Sequence, residues 1–218
     1  MSTPKYGVLI LEGNWGEERD YLTDSRSASR FYVALEDLFN IEEDRPIRFI
    51  SRPLLKSKFA ENIAEFVSLT KRKMGGAVII LSAHGAQVRH KGKRRRVLQA
   101  IDGDLNLSVQ ITKLDCSLEK IVLILDSCEI GEGLDSFQKN ANALAVIGFQ
   151  QSPDWLDSLV FILALLQKLA TKNYFSKKTN LKQAAKKAIE SMKKSPYDKL
   201  TEHLEVEVAP KEMWHARK

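Results

Sequence analysis

The chain has 218 residues, with 34 Lys and Arg against 28 Asp and Glu, a formal charge of +6. That length suits one domain with its own core, and 44% apolar with 28% charged residues is the make-up of a folded protein, not a disordered one. The longest apolar stretch, 155–166, is broken by Asp157 and Ser158 and is too short to span a bilayer. Residues 1–12 lack the marks of a secretory signal, and two cysteines make no disulfide framework, so free thiols in a cytoplasmic setting are expected.

Residues 6–11 (YGVLIL) form a short, almost wholly apolar run, the pattern of a strand buried on both faces. Phe31, Leu35, Leu38 and Phe39 then recur at helical spacing, with Ser25 or Ser27 as a cap. Residues 47–50 predict a second strand. Ile63, Phe66, Val67 and Leu69 predict a helix over 59–73, stopped by Gly75 and Gly76. Buried strands follow at 77–81 (AVIIL), 121–125 (IVLIL) and 144–149 (LAVIGF), with helices over 156–169 and 181–192. Between the third and fourth strands lies a polar excursion with a predicted hairpin, 97–100 against 105–107, turning through Asp102, Gly103 and Asp104. Alternation over 203–208 (HLEVEV) suits an edge strand.

Apolar strands separated by helices specify an α/β fold, a mostly parallel sheet flanked by helices on both faces. The reading divides the chain into a main domain over 1–195 and a C-terminal tail over 196–218.

Positive charge is local. Residues 89–96 (RHKGKRRR) hold six Lys or Arg, and eight lysines fall within 172–194. A basic run can bind phosphates, but it is more often a solvated loop, and no aromatic residue is interleaved in 89–96 for base stacking. Nucleic acid is therefore not the expected partner.

Two strand ends carry the chemistry. The third strand runs into Ser82-Ala83-His84-Gly85 and the fourth into Asp126-Ser127-Cys128. In a parallel sheet both are carboxyl ends on one edge, where adjacent strands lie about 4.8 Å apart. His84 and Cys128, 44 residues apart in the chain, can thus meet. A thiol beside an imidazole is the minimum for nucleophilic acyl transfer. Backbone N–H groups of Gly85 and Cys128 are the candidate oxyanion hole. Cys116 lacks a strand end or a histidine and reads as a small buried residue. His90, His203 and His215 have no metal-ligand spacing with either cysteine, and no phosphate-binding glycine loop is present, so no metal or cofactor is expected.

The segments VIILSAHGAQ and LILDSCEIGEG resemble the His-Gly and Cys elements of caspase-like cysteine peptidases, in the style of bacterial CHAT domains and metacaspases. Caspases place the histidine about 50 residues before the nucleophile. AVIGFQQSPDWLDSLVFILALL and LKQAAKKAIESM resemble the segments that follow the nucleophile in CHAT proteins. The caspase box QACRG is absent, so cleavage after aspartate is not implied.

What the resemblance implies is a caspase-like cysteine endopeptidase with a His84–Cys128 dyad, acting on protein substrates in a bacterial defence or cell-death circuit and switched on by a partner protein. By the metacaspase pattern, Asp126 lines the primary specificity pocket and selects Arg or Lys. Glu129 is a further pocket candidate. Arg94, Arg95 and Arg96, on the excursion between the two strands, are candidate self-cleavage positions. The rival reading is an inactive caspase-like scaffold that holds protein or nucleic acid through the basic loop.

Overall fold

The structure is a computed structural model. It describes residues 5–13, 31, 32, 34, 36, 47–71, 74–90, 93–128, 130, 131, 133–150 and 154–214, with backbone alone at 5, 6, 71, 87–90, 93 and 94. Among these, strands β1 (Lys5–Glu12), β2 (Ile47–Pro53), β3 (Ala77–Ser82), β7 (Ile121–Asp126), β8 (Ala145–Phe149) and β9 (Val206–Ala209) form a sheet in the order β2-β1-β3-β7-β8-β9. All its pairings are parallel except β8–β9. A second, antiparallel sheet of β4 (Gly85–His90), β5 (Lys93–Ala100) and β6 (Gly103–Asn106) is inserted between β3 and β7.

Strand alternation divides the core into two layers. Val8, Ile10, Val78, Ile80, Val122 and Ile124 pack on one face, against the long helix Trp155–Thr171 and the helix Leu181–Ser191. Leu9, Leu11, Ile79, Leu81, Leu123 and Leu125 pack on the other, against the helices Phe59–Lys71 and Leu134–Ala141 and the inserted sheet. We number these helices in chain order α1 (Phe59–Lys71), α2 (Leu107–Gln110), α3 (Leu134–Ala141), α4 (Trp155–Thr171), α5 (Leu181–Ser191) and α6 (Asp198–His203). The apolar circumference of α4 has a simple cause: Phe161, Ile162, Leu165, Leu166 and Leu169 are all buried between sheet and α5.

The expected α/β sheet, covered on both faces, is present. The edge strand expected over 203–208 is present as β9, which closes the sheet edge beside β8, and Val206, Val208 and Met213 belong to the α4-side layer. The helix expected over 31–39 lies largely outside the described residues, although Phe31, Tyr32, Ala34 and Glu36 are helical.

Three local readings are corrected. The basic run is not a loop: residues 89–96 fall largely in the β4–β5 hairpin, where Val88 pairs with Arg95 and Arg89 with Arg94. The next hairpin turns one residue early, through Ile101 and Asp102, because Ala100 pairs with Gly103. Helix α3 was not foreseen; it buries only Leu134, Phe137 and Ala141, too sparse a stripe to stand out.

Candidate active site

The parallel ladder between β3 and β7 runs unbroken from Ala77 opposite Ile121 to Ser82 opposite Asp126. It continues one step further, where the Ala83 N–H donates to the Asp126 carbonyl at 3.2 Å. Two residues beyond the Ser82–Asp126 pair, on their respective chains, stand His84 and Cys128. Both are half-buried at the carboxyl edge, and the Cys128 thiol is free. Cys116 likewise forms no disulfide, is half-buried rather than enclosed, and packs against the α1-side layer.

His84 is held by its backbone, since its carbonyl accepts from the Gln99 N–H at 2.9 Å. That bond makes Gly85 and Leu98 a non-hydrogen-bonded pair, so the β4–β5 ladder makes no use of the Gly85 N–H. A side chain at Gly85 would put its Cβ 2.0 Å from the Ser127 hydroxyl. The strand leaving His84 can therefore approach the turn carrying Cys128 only because residue 85 is glycine. Ser127 is fully buried in that contact, and its hydroxyl has no hydrogen-bond partner among the described residues.

After Cys128 the chain folds back over the sheet edge. The Gly131 N–H donates to the Phe149 carbonyl at 2.9 Å, and a Cβ at Gly131 would lie 2.6 Å from Phe149 backbone. The Leu134 N–H, at the start of α3, donates to Glu207 of β9 at 2.9 Å. From the inserted sheet, the Arg96 guanidinium donates to the carbonyls of Ile130 at 2.8 Å and Gly133 at 3.1 Å. Arg96 is thus buried, 4% exposed, and strand-paired, which corrects its placement on an exposed excursion. Arg94 and Arg95 lie in the same strand, and Glu129 lies outside the described residues.

Beneath this edge, on the α4 side, lies a buried polar row. Glu12 of β1, Ser82 of β3 and Asp126 of β7 are in register across three strands. All three are sealed, as are Ser158 of α4 and Tyr32. Ser82 donates to one Asp126 carboxylate oxygen at 2.6 Å, while the other, Oδ1, has no hydrogen-bond partner among the described residues, nor has the Tyr32 hydroxyl. Burial pushes the Asp126 pKa up to about 6; Ser82 and Ser158 oppose the rise, and the charge of Glu12 adds to it. The Tyr32 phenol is also pushed up, first by burial and then by Asp126 and Glu12.

The structure thus brings His84, Gly85 and Cys128 to one edge and sets Asp126 directly below, but closed over and not open to a groove as the sequence reading implied. Glu12, Tyr32, Ser158 and Glu207 were not anticipated, and Arg96 was anticipated only as a self-cleavage position. Glu12 and Ser82 carried a legible signal, since each is the first polar residue after an apolar strand, as Asp126 is.

No protein-family model matches this sequence, and no curated protein matches it. Among solved structures, the chain is similar to caspase-1 from Spodoptera frugiperda, at 14% sequence identity and a TM-score of 0.47, over 87% of this chain and 77% of that one. At that level the likeness concerns the path of the chain and says nothing of its chemistry. Among the described residues no helix is long and apolar enough to cross a membrane.

Proposed function

We propose that this chain is a caspase-like cysteine endopeptidase, with Cys128 as nucleophile and His84 as its proton-transfer partner. One observation carries the reading: β3 and β7 run in register to Ser82 and Asp126, and two residues beyond each strand end stand an imidazole and a thiol outside any disulfide, both partly open to solvent.

In this reading His84 accepts the thiol proton, and the thiolate adds to the scissile carbonyl of a bound peptide. The oxyanion is met by the backbone N–H groups of Gly85 and Cys128. Collapse expels the amine, which takes the proton back from His84 and leaves an acyl-enzyme thioester. Water, deprotonated by His84, then releases the acid and regenerates the thiol. The substrates are proteins, and a partner protein activates the enzyme.

Asp126, with Glu12 two strands away, forms the floor of the specificity pocket and favours Arg or Lys before the scissile bond. Two features support this. The Asp126 Oδ1 has no donor within the described residues, and a carboxylate held at this depth gains from a cationic partner. Because Asp126 is only 1% exposed, a basic side chain reaches it by displacing part of its covering.

Fluorogenic peptides with Arg, Lys, Ala or Asp before the scissile bond test this directly. Turnover of the basic peptides, lost in Cys128→Ala and in His84→Ala, is the expected result. Absence of turnover together with salt-sensitive nucleic-acid binding would favour the scaffold reading instead.

A further inference from the structure

Besides the Gly85–Ser127 contact of β4, the sheet inserted between β3 and β7 touches both halves of the edge through β5. At Gln99 its backbone N–H donates to the His84 carbonyl at 2.9 Å. Three residues earlier, about 10 Å along the strand, the Arg96 side chain crosses to the turn that follows Cys128. Its Nε donates to the Ile130 carbonyl at 2.8 Å and one terminal nitrogen to the Gly133 carbonyl at 3.1 Å. The guanidinium also lies over the Phe137 ring, 5.1 Å from its centre, and the Arg96 N–H donates to the Ser108 hydroxyl at 3.0 Å.

An arginine keeps its charge at any pH a protein survives, so its burial at 4% exposure carries a steady desolvation cost. That cost is offset by contacts with the segment between Cys128 and α3. The planar fork engages two carbonyls three residues apart, which fixes the curvature of the turn; the single ammonium of a lysine cannot reproduce that geometry.

We infer that Arg96 is a positioning residue, and that β5 is a bracket that sets His84 and the Cys128 turn relative to one another. The inference rests on the peptidase reading and deepens it, for it gives the inserted sheet a task at the same site. Arg96 touches neither substrate nor reacting atoms. It acts through the Ile130 and Gly133 carbonyls, and so on the direction from which the sulfur meets the substrate carbonyl.

Arg96→Gln and Arg96→Lys test it, each compared with wild type for kcat and KM on a basic peptide, for amide hydrogen exchange and for thermal unfolding. Misplacement of a reacting group by about 1 Å costs up to 100-fold in rate. The expected result in Arg96→Gln is a 10- to 100-fold fall in kcat with KM within about threefold. Faster exchange should be confined to residues 127–134, with β7 and β8 protected as in wild type. Arg96→Lys should recover part of the kcat and part of the protection. If Arg96→Gln fails to fold, Arg96→Lys carries the same readouts.

A folded Arg96 variant with wild-type kcat and wild-type exchange over 127–134 would overturn the bracket and leave the peptidase reading intact. A wild-type protein that turns over no peptide would overturn the peptidase reading, while the exchange arm would still decide whether Arg96 holds the turn.

Discussion

Two rows of residues cross the carboxyl edge of the sheet, two positions apart in the same register. The upper row, His84 and Cys128, is half-buried and reaches solvent. The lower row, Glu12, Ser82 and Asp126, is sealed. Both rows stand at the ends of β3 and β7, so the contrast shows how differently functional groups two residues apart are set toward water. In the upper row, His84 is anchored through its backbone carbonyl, and both side chains stay partly open to solvent. In the lower row, removal from water pushes a carboxyl pKa to about 6 and leaves Asp126 Oδ1 without a hydrogen-bond partner among the described residues. On the proposed reading, chemistry belongs to the first environment, and discrimination by charge to the second.

The contrast breaks most visibly if the upper row is removed. Cys128→Ala or His84→Ala should lower kcat by about 10⁴-fold or more and shift the thermal midpoint by only a few degrees, as neither side chain is part of the core. A folded, fully active His84→Ala protein would dissolve the distinction between the rows.

Asp126→Asn acts in the opposite sense. The folded-state pKa of Asp126 lies above that of an unfolded aspartate, so folding favours its protonated form. Its stabilising contribution is complete below about pH 4 and is lost as pH rises through about 6. Asp126→Asn should therefore gain on wild type between pH 4 and pH 8, by up to about 3 kcal/mol, while losing its preference for basic peptides. Urea unfolding at the two pH values checks the first statement; a gain that shrinks with pH contradicts it.

Gly85→Ala probes the seam between rows. The new Cβ would stand 2.0 Å from the Ser127 hydroxyl, so a loss of about 1–3 kcal/mol is expected. Ser127→Gly in the same chain should recover much of it, a coupling that a double-mutant cycle measures. Simple additivity would mean that the two residues do not oppose one another. The smallest effect belongs to Ser82→Ala, which removes the 2.6 Å bond to Asp126. It should cost about 1 kcal/mol and move the Asp126 titration to still higher pH, because that bond favours the ionised form.

The upper row was legible in the sequence because continuous apolar runs fix where buried strands end, and His84 and Cys128 follow two such ends directly. The lower row was half legible: Asp126 stood out, but that Glu12 and Ser82 share its register depends on strand order, which one sequence does not display. Arg96 was misplaced for a physical reason. A run of six cations in eight residues argues for water, and nothing local marks the one residue whose acceptors are carbonyls 34 and 37 positions later. Strand β4 was hidden in the same way, and α3 by its sparse apolar stripe. Glu129 lies outside the described residues.

The central claim is that the Cys128 sulfur is a nucleophile armed by His84. Mass spectrometry after incubation with a peptide electrophile carrying arginine next to the reactive group tests it directly. The account predicts one adduct, on Cys128 and not on Cys116, formed by the wild type and lost in His84→Ala. Equal labelling of both cysteines, or labelling of Cys128 that does not depend on His84, would contradict it.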